Sequence, residues 1–273
     1  MQMTAQRIFA WLWIAGLLTG CGSGSSAGPD CRFNEAWENG QCSAEIPDSA
    51  IFLPDGIWRG ADSSNRPVTA LVNRFGAFQF IDGDGNQGTG TLAVGAGKSV
   101  AGSFQLVPQI GRTFADGSTQ ADCTLSGTLF PRERLALVQD CATSAGFAFQ
   151  ENLSLDFDAV YMRTASLAMI AGAYETPTGS TLSITSAGDI FAQDAASGCV
   201  TNGQVQMTVS FTNMYLISYN IDNCAGAEAI WNGASFSGLA YLDNTFAPEI
   251  LEFAVIGEVG GLPVSVVRSI DRI

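Results

Sequence analysis

The run Phe147-Ala-Phe-Gln-Glu-Asn-Leu-Ser-Leu-Asp-Phe-Asp-Ala-Val-Tyr161 carries the clearest periodic signal in this chain. Phe147, Phe149, Leu153, Leu155, Phe157, Ala159 and Tyr161 alternate with Gln150, Asn152, Ser154, Asp156 and Asp158. Successive side chains of an extended chain point to opposite faces, so this is one half-buried strand, or two consecutive ones.

The same period recurs on both sides. Val68/Ala70/Val72 and Phe78/Phe80 precede the run; Leu182/Ile184, Val205/Met207/Val209, Tyr215/Ile217/Tyr219/Ile221, Leu251/Phe253/Val255 and Val264/Val266 follow it. Turn signals separate these runs, among them Gly83-Asp-Gly-Asn86, Asp116-Gly117, Gly188-Asp189, Asn202-Gly203 and Asn232-Gly233. No stretch sustains a helical period for three turns, and only Ser166–Ile170 suggests a short turn of helix. About eight strands fit into residues 56–162 and about eight into 169–271. The predicted fold class is all-β, with two small antiparallel up-and-down (meander) barrels in tandem after a lipidated flexible tether. Closure is favoured because it removes aggregation-prone edges. Paired β-sandwiches are the alternative. A membrane-spanning barrel is disfavoured, because many strands are shorter than the 9–11 residues a span needs.

The halves share short motifs. Gly56-Ile-Trp58 and Gly172-Ala-Tyr174 open them, and Cys123-Thr-Leu-Ser-Gly127 matches Cys199-Val-Thr-Asn-Gly203. The spacing differs, so these are similar modules and not a clean duplication.

The N-terminus resembles a bacterial lipoprotein signal. Arg7 precedes the apolar run Ile8–Leu18, which is only about half of the roughly 20 residues a membrane helix needs. Leu18-Thr-Gly-Cys21 matches the lipobox, which implies cleavage before Cys21 and its acylation. Gly22 at the following position resembles outer-membrane sorting. The expected layout is a signal over 1–20, a Gly/Ser tether over 21–30 and a disulfide-closed loop over 31–51. Barrels over 52–165 and 166–273 follow.

Composition narrows the function classes. The formal net charge of −14 disfavours nucleic acid. The absence of histidine removes Ser–His–Asp and Cys–His chemistry and imidazole metal ligation. Seven cysteines less Cys21 leave six, an even number suited to an oxidising compartment. Pairing each with its local neighbour is the simplest of the possible connectivities: Cys31–Cys42, Cys123–Cys141 and Cys199–Cys224.

Gly56-Ile-Trp-Arg-Gly60, Ser166-Leu-Ala-Met-Ile-Ala-Gly-Ala-Tyr174, the C-x-x-x-G strands and Phe236-Ser-Gly-Leu-Ala-Tyr-Leu242 point to a family. Together they resemble proteobacterial lipoproteins with lipocalin-like or transferrin-binding-protein-like barrel domains. The resemblance covers most of residues 55–270 and implies an architecture, with no catalytic residues.

Candidate sites are few. Asp82, Asp84 and Asn86 place oxygens at alternate positions, as a calcium loop does, but Ala93 stands where the bidentate Glu belongs, so an acidic hairpin turn is favoured. Asp156 and Asp158 share a strand face about 7 Å apart, a spacing open to glycosidase work, although a solubilising role is the simpler account. Glu249, Glu252 and Glu258 are read the same way. Lys98, the only lysine, has no spacing that ties it to a carboxylate. Tyr215, Tyr219, Trp231, Phe236 and Tyr241 either line a ligand-holding barrel mouth or fill a core. No cofactor is expected. The expected function is a membrane-anchored binding or envelope-structural module, held to the bilayer through Cys21, with an envelope protein or a small apolar ligand as partner. A carrier of a small apolar ligand is the alternative, and a carboxylate-based glycan enzyme the third.

Overall fold

The computed structural model describes residues 36–38, 41–43, 53–176, 179–209 and 211–273. The signal, Cys21, the tether and Cys31 lie outside the described residues, and so does the side chain of Cys42; the Cys31–Cys42 pairing falls there. A small hairpin joins β1 (Ala36–Glu38) to β2 (Gln41–Ser43).

Residues 51–273 form one compact unit holding two closed barrels. The first runs β3 (Gly56–Asp62), β4 (Pro67–Val72), β5 (Ala77–Ile81), β6 (Gln87–Val94), β7 (Ser99–Val107), β8 (Ala121–Phe130), β9 (Arg134–Thr143) and β10 (Ala148–Asp158). Each strand pairs antiparallel with the next, and β10 closes on β3. The second repeats this with β11 (Gly172–Glu175), β12 (Thr181–Ile184), β13 (Asp189–Gln193), β14 (Val200–Met207), β15 (Tyr215–Asp222), β16 (Ala234–Asp243), β17 (Ile250–Val259) and β18 (Leu262–Arg272), with β18 closing on β11. The predicted tandem meander barrels are therefore present.

The Phe147–Tyr161 run is a single strand, β10. Leu153, Leu155 and Phe157 point inward opposite Asp62, Gly60 and Trp58. Its two ends depart from the expected alternation. Phe147 sits exposed in the preceding turn. Asp158 ends the strand, because its carboxylate accepts the Val160 N–H at 2.9 Å and starts a 3₁₀ turn over Ala159–Met162. That turn swings Tyr161 out of the barrel and into the contact between barrels, where Ile57, Leu71, Val160, Met214, Leu239, Tyr241 and Ala254 pack with it. Both barrels keep apolar side chains inside, and the outer wall of β8 to β10 exposes Asp122, Thr124, Ser126, Asp140, Asn152, Ser154 and Asp156. This is the reverse of a lipid-facing barrel. No helix among the described residues is long and apolar enough to cross a membrane.

The shared opening motif has a common physical basis. The Trp58 indole N–H donates to the Pro54 carbonyl at 2.9 Å, and the Tyr174 hydroxyl donates to the Ile170 carbonyl at 2.7 Å. In each barrel a buried aromatic on the first strand reaches back four residues and pins the lead-in segment. The C-x-x-x-G motifs, by contrast, fall on the sixth strand of the first barrel and the fourth of the second. They recur because each braces two consecutive strands with a disulfide, not because the positions are equivalent.

Candidate functional site

The two interiors differ. In the first barrel Phe78 and Phe80 both contact the Phe104 ring, with centroids 5.5 and 5.8 Å apart, while Trp58 meets Phe157 edge-on at 5.3 Å. Cys123 and Cys141, directly opposite on β8 and β9, form a disulfide inside this packed core. The rim formed by the turns after the first, third, fifth and seventh strands is plugged. Phe114 from the β7–β8 loop lies 6.0 Å from Phe149. Arg66 binds Asp62 at 2.6 Å and also pairs with Asp84 and Glu151. Burial pushes the Glu151 carboxyl up against the pull of Arg66. Cation and carboxylates thus meet at this end, and the interior is filled.

The second barrel is closed at one end only. The short helix α1 (Leu167–Ile170) starts at Ser166, whose hydroxyl accepts the Met169 N–H at 3.1 Å. Tyr215 donates to the Ser166 carbonyl at 3.2 Å, and Arg272 reaches the Tyr174 hydroxyl at 2.9 Å and pairs with Glu249. These contacts seal the floor, and burial pushes Tyr215 up to about 12.

Above the floor lies a cavity of about 750 Å³. Tyr219 and Phe236 stack with centroids 5.2 Å apart and planes at 25°. Trp231 follows Phe236 at 6.1 Å, and Phe253 meets Tyr219 edge-on at 6.4 Å. Glycine makes room for these rings. Tyr219 and Phe236 are register partners flanked by Gly203 on β14 and Gly257 on β17. A Cβ at Gly257 would stand 2.6 Å from Phe236 Cδ1, so the ring lies across the bare backbone. The large side chains therefore gather on β15 to β17, whereas β13, β14 and their loop contribute Ala192, Ala196, Ser197 and Thr201. This uneven distribution leaves the space empty.

The mouth is braced covalently. Cys199 and Cys224 are bonded, tying the loop after β13 to the loop after β15. Asn232 clamps the same loop, accepting the Cys224 N–H at 2.7 Å and donating to its carbonyl at 3.0 Å. Ala225 N–H donates to the Ser197 carbonyl at 2.8 Å. Together these fix Trp231 over the cavity.

Of the five aromatics singled out from the sequence, the structure brings Tyr219, Trp231 and Phe236 to this cavity. Tyr215 belongs to the floor. Tyr241 is corrected: it alternates with inward-facing Ala240 and Leu242, so it lies on the outer wall of β16. There it bonds Arg59 and Glu252. Burial, with Glu252 alongside, pushes the Tyr241 hydroxyl up against the pull of Arg59. Arg59 also meets Asp158 at 2.8 Å, Glu252 at 3.6 Å and Asp243 at 3.8 Å. Asp158 is thus committed to this cluster and to its own 3₁₀ turn, while Asp156 is exposed. They do not form a free carboxylate pair. Glu258 is exposed on β17.

The calcium-like loop is a hairpin turn. Asp82 accepts the backbone N–H groups of Asp84 and Asn86 at 2.9 Å and the Asn86 side-chain amide at 2.7 Å, and Asp84 is held by Arg66. Burial pushes the Asp82 carboxyl up. No cluster suited to a metal ion occurs among the described residues. Lys98 ends the short 3₁₀ turn Ala96–Lys98. Arg268, unmarked by any motif, lines the cavity. Its signal was its place in the alternation Val264, Val266, Arg268, Ile270, where a charge interrupts an apolar face. Comparison with protein-family models, with curated proteins and with solved structures yields no match to this chain.

Proposed function

We propose that this protein is a membrane-anchored, extracytoplasmic lipoprotein whose second barrel holds a small, mainly apolar ligand while the first serves as a filled scaffold. The observation that carries this proposal is the difference between the interiors, one packed and one enclosing about 750 Å³ lined by aromatic rings. That volume lies within the roughly 300–1,000 Å³ of small-molecule sites. The bracing of the mouth by Cys199–Cys224 supports it, because a pre-organised site loses less free energy on binding. Anchoring through acylated Cys21, location at the outer membrane and kinship with the barrel-bearing proteobacterial lipoproteins belong to the same proposal and rest on the sequence motifs. The Asp156/Asp158 pair is not part of this reading, since Asp158 is held by Arg59.

The test uses purified residues 22–273 and the neutral fluorophore N-phenyl-1-naphthylamine. Saturable one-to-one binding with quenching of Trp231 is expected, and Thr201→Trp, which fills the cavity, should abolish it. Absence of binding to the wild type, or equal binding by a folded Thr201→Trp variant, overturns the proposal.

A further inference from the structure

We infer that the cavity of the second barrel selects a planar apolar anion, its ring system lying on the Tyr219–Phe236–Trp231 wall and its acidic group meeting Arg268. This inference rests on the proposed ligand-binding role and adds the ligand's charge and orientation.

Arg268 stands on β18 with the inward-facing register of Val266 and Ile270 and lines the cavity. Tyr219 lines the same cavity, and burial pushes its hydroxyl well up against the pull of Arg268. The Arg268 guanidinium donates to the Val267 carbonyl at 2.9 Å and has no carboxylate within ion-pair distance among the described residues. Arg268 lines the cavity while remaining exposed to solvent, so its guanidinium is accessible to a ligand that enters. Arg59, Arg66, Arg132 and Arg272 hold carboxylates, whereas Arg268 shares its lack of an ion pair among the described residues with Arg74, Arg112, Arg134 and Arg163, and of these five it alone lines this cavity.

The first barrel supplies the contrast. Its topologically equivalent rim is plugged by Arg66 with Asp62 and Glu151, cation matched to carboxylate. The second barrel keeps the cation and lacks the plug. Two acids do line the mouth. Asp194 is engaged by its own loop, accepting the N–H groups of Ala196 at 2.8 Å and Ser197 at 3.3 Å. Glu228 lies exposed on the 3₁₀ turn Gly226–Trp231. Neither neutralises Arg268. An arginine presents a planar fork of donors suited to a carboxylate or sulfonate, and the adjacent stacked rings offer a flat apolar surface.

The experiment compares two probes of nearly equal shape on residues 22–273. One is the neutral N-phenyl-1-naphthylamine and the other 1-anilinonaphthalene-8-sulfonate, which adds the anion. The sulfonate should bind more tightly than the neutral probe. Arg268→Gln should lower the ratio of sulfonate to neutral-probe affinity about tenfold, the lower end of a charge-assisted contact at a partly exposed site. Arg268→Lys should recover part of the loss. If neither probe binds, the ligand-binding role itself fails. If the neutral probe binds and Arg268→Gln leaves the ratio of affinities unchanged, the cavity stands and the anion preference is overturned.

Discussion

Removing each disulfide in turn separates bracing of the chain from bracing of the site. The bridges Cys123–Cys141 and Cys199–Cys224 span 18 and 25 residues. In the chain-entropy account these closures restrict the denatured chain by about 3.2 and about 3.5 kcal/mol, a difference too small to distinguish them. Their native surroundings differ far more. Cys123 and Cys141 face each other in the β8–β9 ladder within a packed interior, so the two strands stay in place without the bond. Cys199 and Cys224 join two loops, and without the bond the loop carrying Trp231 is tied to the loop after β13 by the Ala225–Ser197 hydrogen bond, with Asn232 holding Cys224. If the loop then spends about a tenth of its time in the closed arrangement, apparent affinity falls about tenfold. The expected outcome is a loss of about 3 kcal/mol for either double alanine variant in urea unfolding under oxidising conditions. The naphthylamine probe should bind about tenfold more weakly to Cys199→Ala/Cys224→Ala and unchanged to Cys123→Ala/Cys141→Ala. Equal loss of affinity in both variants, or none in the first, refutes the assignment of the outer bridge to the mouth.

Three further outcomes are expected. Phe104→Ala should cost about 4 kcal/mol, because that ring is packed between Phe78 and Phe80, whereas Phe236→Ala, with one face on the cavity, should cost about 2 kcal/mol and alone reduce probe affinity; chemical denaturation and probe titration check both. Arg59→Met leaves Asp158, Asp243 and Glu252 without their shared cation between the barrels. With the arginine more than a third exposed, solvent screening limits the loss to about 1–2 kcal/mol, and Asp243→Asn in the same chain should restore part of it in thermal unfolding. Cys21→Ala should move the protein from the membrane to the soluble fraction on cell fractionation, since acyl chains contribute about 0.8 kcal/mol per buried CH₂.

The strand content of both barrels was legible in the sequence because alternation is a local property. Leu153, Leu155 and Phe157 point inward whatever the rest of the chain does, and a meander needs only short turns between neighbours. Cys123–Cys141 and Cys199–Cys224 were legible for the same reason, each bridge joining consecutive strands or their loops. Tyr241 was not, because a single aromatic at a strand position does not say which face is wet. Only the packing of β16 against the first barrel gave its outward side a buried partner. The cavity lay still further beyond the sequence. Both interiors are rich in aromatic side chains, and whether these fill a barrel depends on which of them meet across it. Phe78, Phe80 and Phe104 converge in the first barrel. In the second, Tyr219 and Phe236 stand side by side over Gly203 and Gly257, with Ala192 and Thr201 also lining the space. Closure of the sheet brings these residues together, and the volume left between them is a property of the closed barrel that no single strand carries.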